Sequence, residues 1–220
     1  MHTFSKITEG IVNQRLMVIA YKTDTYCINQ MGSLPQRSTV DIALSLNHWT
    51  PESQFAGKKV SSVFLNVKGA FDNVNHKKLL DLLGTDGKVP EYLVDWISNF
   101  ICTREIVLAY PGSPRTQNRV DKGIPQALRL SPLLFIIYVR SLHSGHEPTD
   151  TFTSSYIDDF QIKVASTSWY RNTRILEERV QSINSEAASL DLSFSIAKTE
   201  MMHWRSWREK GDRSECPIMF

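Results

Sequence analysis

The first 57 residues contain two stretches in which apolar residues recur at helical spacing. Residues 5–22 read SKITEGIVNQRLMVIAYK, and their pattern predicts a helix. After the loop QMGSLPQR, Ser38 and Asp41 occupy the positions of a capping box, so a second helix is predicted over STVDIALSLNHW. The apolar positions of the first stretch are Ile7, Ile11, Leu16 and Ile19.

The pattern becomes that of a strand at residue 59. Residues 59–67, KVSSVFLNV, are rich in Val and Phe and predict a strand that leads into a short connection. HKKLLDLLG then predicts a helix that closes on Gly84. PEYLVDWISNFI predicts another helix beginning at Pro90, with Leu93, Ile97 and Phe100 on its apolar stripe.

The middle of the chain predicts extended segments in EIVLAYPG and NRV, followed by an almost wholly apolar helix. Ser131 would cap this helix, Pro132 would stand in its first turn and Leu142 would end it. Because the segment is apolar on all sides, we expect it to be deeply buried.

The last third combines strand and helix signals. Residues 154–162, SSYIDDFQI, alternate as a strand does, and LSFSIAKTEMMHWR predicts a hairpin around Ala197 and Lys198. Strands broken by helices without steady alternation predict an α+β fold, in which helices back an antiparallel sheet. A long amphipathic segment between them has Leu176, Val180, Ile183, Ala187 and Leu190 on one side.

Composition and charge add little to this picture. The chain has 220 residues, 41% apolar and 22% charged, which suits one domain or one and a half. The net charge of +2 is too small to indicate a nucleic-acid partner by itself. The segment from Arg104 to Arg140 contains six basic residues and only two acidic ones, Glu105 and Asp121. That segment is either a surface for nucleic-acid backbones or an ordinary solvated surface.

The cysteines and apolar runs indicate an intracellular protein. Cys27, Cys102 and Cys216 have no metal-ligand spacing and are expected to be reduced thiols. Residues 132–139 form the longest apolar run, too short to cross a membrane, and the first residues lack a signal-peptide pattern. We expect a nuclear or cytoplasmic protein and leave a mitochondrial location open.

Asp158 and Asp159 are adjacent carboxylates between apolar flanks. Such residues repel one another and resist burial, so they predict either a solvent-facing turn or a bound cation.

Their neighbours along the chain support the second reading, because the order of several motifs resembles the palm of a reverse transcriptase. The specific likeness is to the enzymes of non-LTR (LINE-like) retrotransposons, which are similar to group II intron reverse transcriptases. FLNVKGAFD resembles the motif F-x-D-x-x-x-A-F-D, and GIPQ with LSPLLF resembles G-x-P-Q-G-S-x-x-S-P-x-L-F. SSYIDDFQI resembles the Y-x-D-D hairpin, and LSFSIAKTEMMHW resembles the lysine-bearing motif that follows it. SKITEGIVNQRL and QMGSLPQRSTVDIAL resemble segments of the fingers.

The resemblance implies a domain layout and a reaction. Residues 1–57 would be partial fingers and residues 58–220 the palm, with motifs at 63–72, 123–135, 154–162 and 192–204 and no thumb. The activity implied is RNA-directed DNA polymerisation on an RNA template with a DNA primer and dNTPs, without a membrane. Two Mg²⁺ ions would be held by Asp158, Asp159 and a carboxylate at position 66.

Position 66, however, is Asn66 rather than aspartate. Removing one unit charge about 4 Å from a divalent ion changes the Coulomb energy by roughly 8 kcal/mol at an effective dielectric near 20. If half of this is felt in the transition state, the rate falls roughly a thousandfold. Asp72 cannot substitute, because it already matches the motif's second acid and lies six residues away. We therefore expect a catalytically impaired copy.

The second palm motif departs as well. Gly123, Pro125 and Gln126 are retained as substrate-binding candidates, but Ala127 and Leu128 replace the family's Gly-Ser. A glycine permits positive φ or close approach by a substrate, and we expect Ala127 to obstruct both.

Other matched positions have two readings each. Phe71 is either the residue that excludes a ribose 2′-OH or a core aromatic, and Lys198 either binds near the triphosphate or is a turn lysine. Arg37 either contacts phosphates or template or faces solvent. His76 and His203 fit no ligand set.

Three functions remain open: an impaired polymerase, a non-catalytic palm that binds nucleic acid or protein, and a functionless transposon remnant. In a folded palm, Asn66, Asp158 and Asp159 should lie within several Å of one another at the end of neighbouring strands.

Overall fold

The computed structural model describes residues 3–85, 89–108, 116–143 and 150–205. The helices are α1 (Thr3–Lys22), α2 (Thr39–Phe55), α3 (His76–Thr85), α4 (Glu91–Cys102), α5 (Leu130–Tyr138) and α6 (Trp169–Ser189). The strands are β1 (Lys59–Asn66), β2 (Glu105–Leu108), β3 (Thr116–Arg119), β4 (Thr151–Tyr156), β5 (Asp159–Ser166) and β6 (Glu200–Trp204). The chain divides into two compact units, one of residues 1–26, 69–140 and 190–192, the other of residues 27–68, 141–189 and 193–220.

The second unit contains a four-stranded antiparallel sheet with the strand order β4-β5-β1-β6. The predicted strand at 59–67 is confirmed as β1. Residues 154–162, whose alternation predicted a strand, instead contain the end of β4, a turn at Ile157 and Asp158, and the start of β5. An antiparallel sheet accompanied by helices confirms the predicted α+β class.

The two central strands of this sheet bury apolar side chains on one face. Val63 and Leu65 of β1 share a face with their partners Ile162 and Phe160 of β5, and these four side chains are buried. The amphipathic helix α6 packs on β1 and β5. The charged residue Arg179 is buried on that helix, whereas the predicted Val180 is only half-buried. Arg179 is accommodated because its Nη2 donates to the carbonyl of Leu142 at 3.0 Å.

Helix α2 begins with the predicted capping arrangement. The backbone N–H and hydroxyl of Ser38 both donate to Oδ2 of Asp41, at 2.6 and 2.9 Å. The helix continues beyond the predicted end, through Pro51 to Phe55. Its last turn is held by Gln54, whose Nε2 donates to the Trp204 carbonyl at 2.6 Å.

The first unit contains α1, α3, α4, α5 and the β2–β3 ribbon. Helix α5 is buried along almost its whole length, as predicted, but its boundaries differ. It begins at Leu130, so Ser131 is a buried first-turn residue rather than the cap. The Leu130 N–H is satisfied by Oε1 of the buried Glu9, at 3.0 Å. The helix ends at Tyr138, and a 3₁₀ turn follows over Arg140–His143.

Two smaller expectations also change. On α4 the buried stripe is Leu93, Ile97 and Ile101, because Phe100 instead stacks on Trp96 with ring centroids 5.1 Å apart. The segment predicted as a hairpin around Lys198 is a 3₁₀ turn, Ile196–Lys198, ahead of β6.

No helix within the described ranges is both long and apolar enough to span a membrane.

Candidate active site at the end of the central strands

The adjacent aspartates lie in a tight hairpin turn. Tyr156 and Asp159 are paired across β4 and β5, so only Ile157 and Asp158 form the connection. Ile157 has a φ of +57°, which is rare for a β-branched residue and strained. Strain of this kind persists where surrounding structure enforces it. The turn therefore presents Asp158 at its tip and Asp159 at the start of β5.

Gln30 and Gly32 hold this turn from the loop that precedes α2. Oε1 of Gln30 accepts the Ile157 N–H at 3.1 Å and the Gly32 N–H at 2.9 Å. A Cβ on Gly32 would lie 2.8 Å from the Ile157 backbone nitrogen, so only glycine fits there. Sequence reasoning missed both residues, and the glycine in QMGS was the one available signal.

Asn66 ends β1 directly opposite Asp159. Its Nδ2 donates to Oδ1 of Asp159 at 2.7 Å, and its Oδ1 accepts from Nζ of Lys198 at 3.2 Å. The expected proximity of Asn66 to the aspartate hairpin is thus observed. The three side chains form a hydrogen-bonded chain from carboxylate through carboxamide to ammonium.

The orientation of the Asn66 carboxamide follows from its neighbours. A carboxylate only accepts hydrogen bonds and an ammonium only donates them. Reversing the amide would place oxygen against oxygen at Asp159 and N–H against N–H at Lys198. Both ends of the Asn66 side chain are therefore used by protein partners.

Asp158 is partly buried beside this chain. Burial raises the pKa of its carboxyl, and the charge of Asp159 raises that pKa further. Opposing contributions come from a hydrogen bond to its own backbone, the Lys198 charge and a hydrogen bond from Asn66. The net pKa is higher than usual, which marks a carboxylate whose charge is incompletely compensated.

A cavity of about 430 Å³ adjoins these side chains within the second unit. Its size is in the range of small-molecule sites. The strands contribute Phe64, Tyr156 and Gln161 to its wall, and α2 contributes Thr39, Ile42, Ala43 and Leu46.

Arg37 has a definite position near the turn. One guanidinium nitrogen donates to the carbonyls of Ile28 and Gln30, at 2.7 and 2.6 Å. Arg37 therefore braces the loop that holds the hairpin, while its phosphate-binding role stays a prediction.

The remaining predicted residues lie in the first unit. Nε2 of Gln126 donates to Oδ1 of Asp72 at 3.1 Å, and Pro125 is partly exposed. Gly123 has a φ of +86°, and a Cβ there would lie 2.8 Å from the Asp72 carbonyl oxygen. The ring of Phe71 packs against Phe135 with centroids 5.3 Å apart.

Ala127 corrects one expectation. Its φ is +61°, so the alanine does not prevent the left-handed conformation that a glycine would permit. It adopts that conformation at a cost of roughly 1 to 2 kcal/mol, because its Cβ crowds the carbonyl oxygen.

Comparison with known proteins identifies the family. The sequence model of the family "Reverse transcriptase (RNA-dependent DNA polymerase)" matches residues 1–215. The chain therefore belongs to the reverse transcriptase family. A search of curated proteins finds no match.

Solved structures that resemble the chain include two yeast telomerases. Apo telomerase from Candida tropicalis, truncated from its C-terminal domain, has a TM-score of 0.66 and 12% identity, over 94% of this chain and 42% of that chain. Telomerase from Candida albicans, in complex with a TWJ fragment of telomeric RNA, has a TM-score of 0.62 and 13% identity. The match covers 88% of this chain and 35% of that chain. The chain thus spans about two fifths of the first telomerase chain, and the likeness is one of fold.

Reverse transcriptases use divalent metal ions. The donor chemistry around Asn66 does not fit a pair of such ions. The Asn66 side chain carries no charge, its nitrogen is a donor and one lone pair of its oxygen accepts from Lys198, so position 66 offers a cation one neutral lone pair instead of a carboxylate. Across the described ranges, no three His, Cys, Asp or Glu side chains are grouped to hold a metal.

Proposed function

We propose that this chain is the reverse transcriptase domain of a non-LTR retrotransposon in which DNA polymerisation is impaired. The four palm motifs and the finger segments that precede them, matched in order, support the non-LTR type. In this proposal residues 1–57 are partial fingers and the palm begins at residue 58. The template is RNA, the primer is DNA and the substrates are dNTPs. The Candida albicans telomerase, solved with telomeric RNA, lends support to an RNA partner.

The observation that carries the proposal is the position of Asn66 between Asp159 and Lys198. An aspartate at this point would supply a charged ligand for a cation shared with the hairpin carboxylates. Asn66 instead supplies no charge. Its side chain donates to the Asp159 carboxylate and accepts from the Lys198 ammonium. The two-metal step therefore lacks one of its carboxylates.

Roles for the other side chains follow within the same proposal. Asp158 and Asp159 are the retained metal ligands of the family's reaction. Lys198 would approach the triphosphate, and Phe71 would exclude the ribose 2′-OH. The remaining substrate-contacting residues would be Gly123, Pro125, Gln126 and Arg37.

The test is primer extension on an RNA template with Mg²⁺. We expect extension by the unaltered chain to be on the order of a thousandfold slower than by Asn66→Asp, which restores the missing charge. A triple variant with Ala127→Gly and Leu128→Ser should gain further. Asn184→Asp is the matched control, since it makes the same change on the exposed face of α6.

The outcomes separate the proposals. Extension by the unaltered chain at the level of Asn66→Asp would refute the role given to Asn66. No extension by any variant, with no cooperative unfolding transition, would identify a functionless remnant.

A second candidate is a silent palm that binds nucleic acid. It is favoured by the basic side chains of the 104–140 segment, among which Arg119, Lys122 and Arg129 are exposed. RNA binding by the unaltered chain should then weaken with salt, and Arg119→Gln with Lys122→Gln should reduce the slope by about two phosphate contacts. An unchanged slope would exclude this surface.

A further inference from the structure

A thiol and an imidazole lie together in the first unit. Cys102 is the last residue of α4 and His76 is the first residue of α3. Sγ of Cys102 lies 3.7 Å from Nδ1 of His76. Sulfur is a large atom, so this distance suits a hydrogen bond from the thiol to the ring nitrogen.

The tautomer of His76 is set by its other nitrogen. Nε2 lies 2.8 Å from the carbonyl oxygen of Gly123. A carbonyl oxygen can only accept, so Nε2 carries the proton and Nδ1 of the neutral ring is left as an acceptor. Nδ1 therefore presents its lone pair to the Cys102 thiol, which is the arrangement of a nucleophile beside a base.

The carbonyl that orients the ring is itself fixed. The Gly123 N–H donates to the Val74 carbonyl at 2.7 Å. Its φ of +86° and its close approach to Asp72 require glycine. Since His76 is only 7% exposed, the imidazole is held in one orientation by packing as well as by this hydrogen bond.

Cys102 lines a cavity of about 430 Å³ whose wall carries two basic and two acidic side chains. Cys102 is half-buried, so a small reagent in the cavity can reach it. Nε of Arg119 donates to the Cys102 carbonyl at 3.1 Å, which places a guanidinium beside the same residue. The charged side chains that line the cavity are Lys77, Asp81, Arg119 and Asp121.

We propose that Cys102 is a site of oxidation by small peroxides, with His76 as its base. Sγ attacks one peroxide oxygen, the S–O bond forms and the O–O bond breaks. The thiol proton passes to Nδ1 and then to the departing oxygen, which leaves as water or an alcohol. The sulfur is oxidised to a sulfenic acid and the peroxide is reduced. Arg119 and Lys77 stabilise the negative charge that develops on the leaving oxygen.

The experiment uses the whole chain, hydrogen peroxide and dimedone, which traps sulfenic acids, with each cysteine followed by mass spectrometry. Cys102 in the urea-unfolded chain is the comparison. We expect Cys102 to form the adduct at least about tenfold faster in the folded chain, because only the folded chain positions His76 as its base. An equal or slower rate in the folded chain would overturn the proposal without the need for any variant.

Two variants separate a base from a structural residue. His76→Ala should slow the reaction at Cys102 at least about tenfold and leave Cys27 unchanged. Added imidazole should restore part of the Cys102 rate, which a loss of packing alone would not allow. If His76→Ala does not fold, Arg119→Gln at the exposed end of β3 should still slow Cys102 several-fold. An unchanged rate in the variant that folds would contradict the proposal.

Discussion

The four-stranded sheet places polar side chains in two very different settings. At the end of β1 and β5, Asn66 links a carboxylate to an ammonium, and all three side chains reach solvent. In the interior, the buried Lys163 has neutral partners among the described residues: the Ser45 hydroxyl at 3.0 Å and two aromatic rings. The strand end links a carboxylate and an ammonium through Asn66 close to solvent, whereas in the described part of the interior a cation is buried beside neutral groups. Substitutions at the end should therefore change binding and chemistry, and those in the interior should change stability.

The largest expected effect on stability concerns His143. Burial lowers its pKa to about 4, and the nearby Arg179 charge lowers it in the same direction. The unfolded chain, with a histidine pKa near 6.5, takes up a proton first as the pH falls. The free energy of unfolding should therefore fall by roughly 3 kcal/mol between pH 6.5 and 4.

Urea unfolding across that pH range checks this prediction. His143→Gln should lose the slope, because the titrating group is gone, while His48→Gln at an exposed position of α2 should keep it. A slope that persists in His143→Gln would assign it to other groups.

Lys163 comes next. Burial lowers its pKa to about 8, so the native state disfavours the charged form that exists at pH 7. Stability should rise with pH between about 8 and 10.5, since the unfolded chain holds the proton longer. Lys163→Met keeps the apolar stem and should stabilise the chain by about 2 kcal/mol at pH 7.

Thermal and urea unfolding at pH 7 and pH 10 measure both effects. Lys58→Met, at a partly exposed lysine paired with Asp150 at 2.6 Å, is the control. A destabilised Lys163→Met variant would mean that the contacts with Trp49 and Phe152 outweigh the desolvation of the ammonium.

The smallest expected effect on stability concerns Asp158, in the turn between β4 and β5. Because the folded-state pKa of Asp158 is raised, stability should fall as the pH rises above the ordinary aspartate value. Asp158→Asn should stabilise the chain at pH 7 by less than about 1 kcal/mol, since solvent screens this partly exposed group. Asp95→Asn, on the exposed face of α4, should leave stability unchanged. A loss of stability in Asp158→Asn would show that its carboxylate is better compensated than the geometry indicates.

Local patterns predicted the features that residue types and their spacing along the chain determine. The capping box of Ser38 and Asp41, the strand at 59–67 and the burial of α5 all follow from propensity and periodicity. The start of α5 did not, because its cap is the side chain of Glu9, which lies 121 residues earlier. Burial of the charged Arg179 depends in the same way on a distant carbonyl.

The residues of the candidate site likewise include some that sequence motifs predicted and some that only distant contacts define. The double aspartate and Asn66 were found because motif order ties them together. Gln30 and Gly32, which hold the strained turn, have no pattern of their own and depend on contacts with Ile157 across 127 and 125 residues. The pairing of His76 with Cys102 was equally invisible, since a separation of 26 residues matches no ligand or dyad spacing.

The most direct test of the central claim is a titration with Mn²⁺ followed by electron paramagnetic resonance, comparing the unaltered chain with Asn66→Asp. Asn184→Asp serves as the control for added charge. We predict that Asn66→Asp binds two ions in the presence of a dNTP and that the unaltered chain does not, because Asn66 is committed to Asp159 and Lys198. Binding of two ions by the unaltered chain with the affinity of Asn66→Asp would contradict the account.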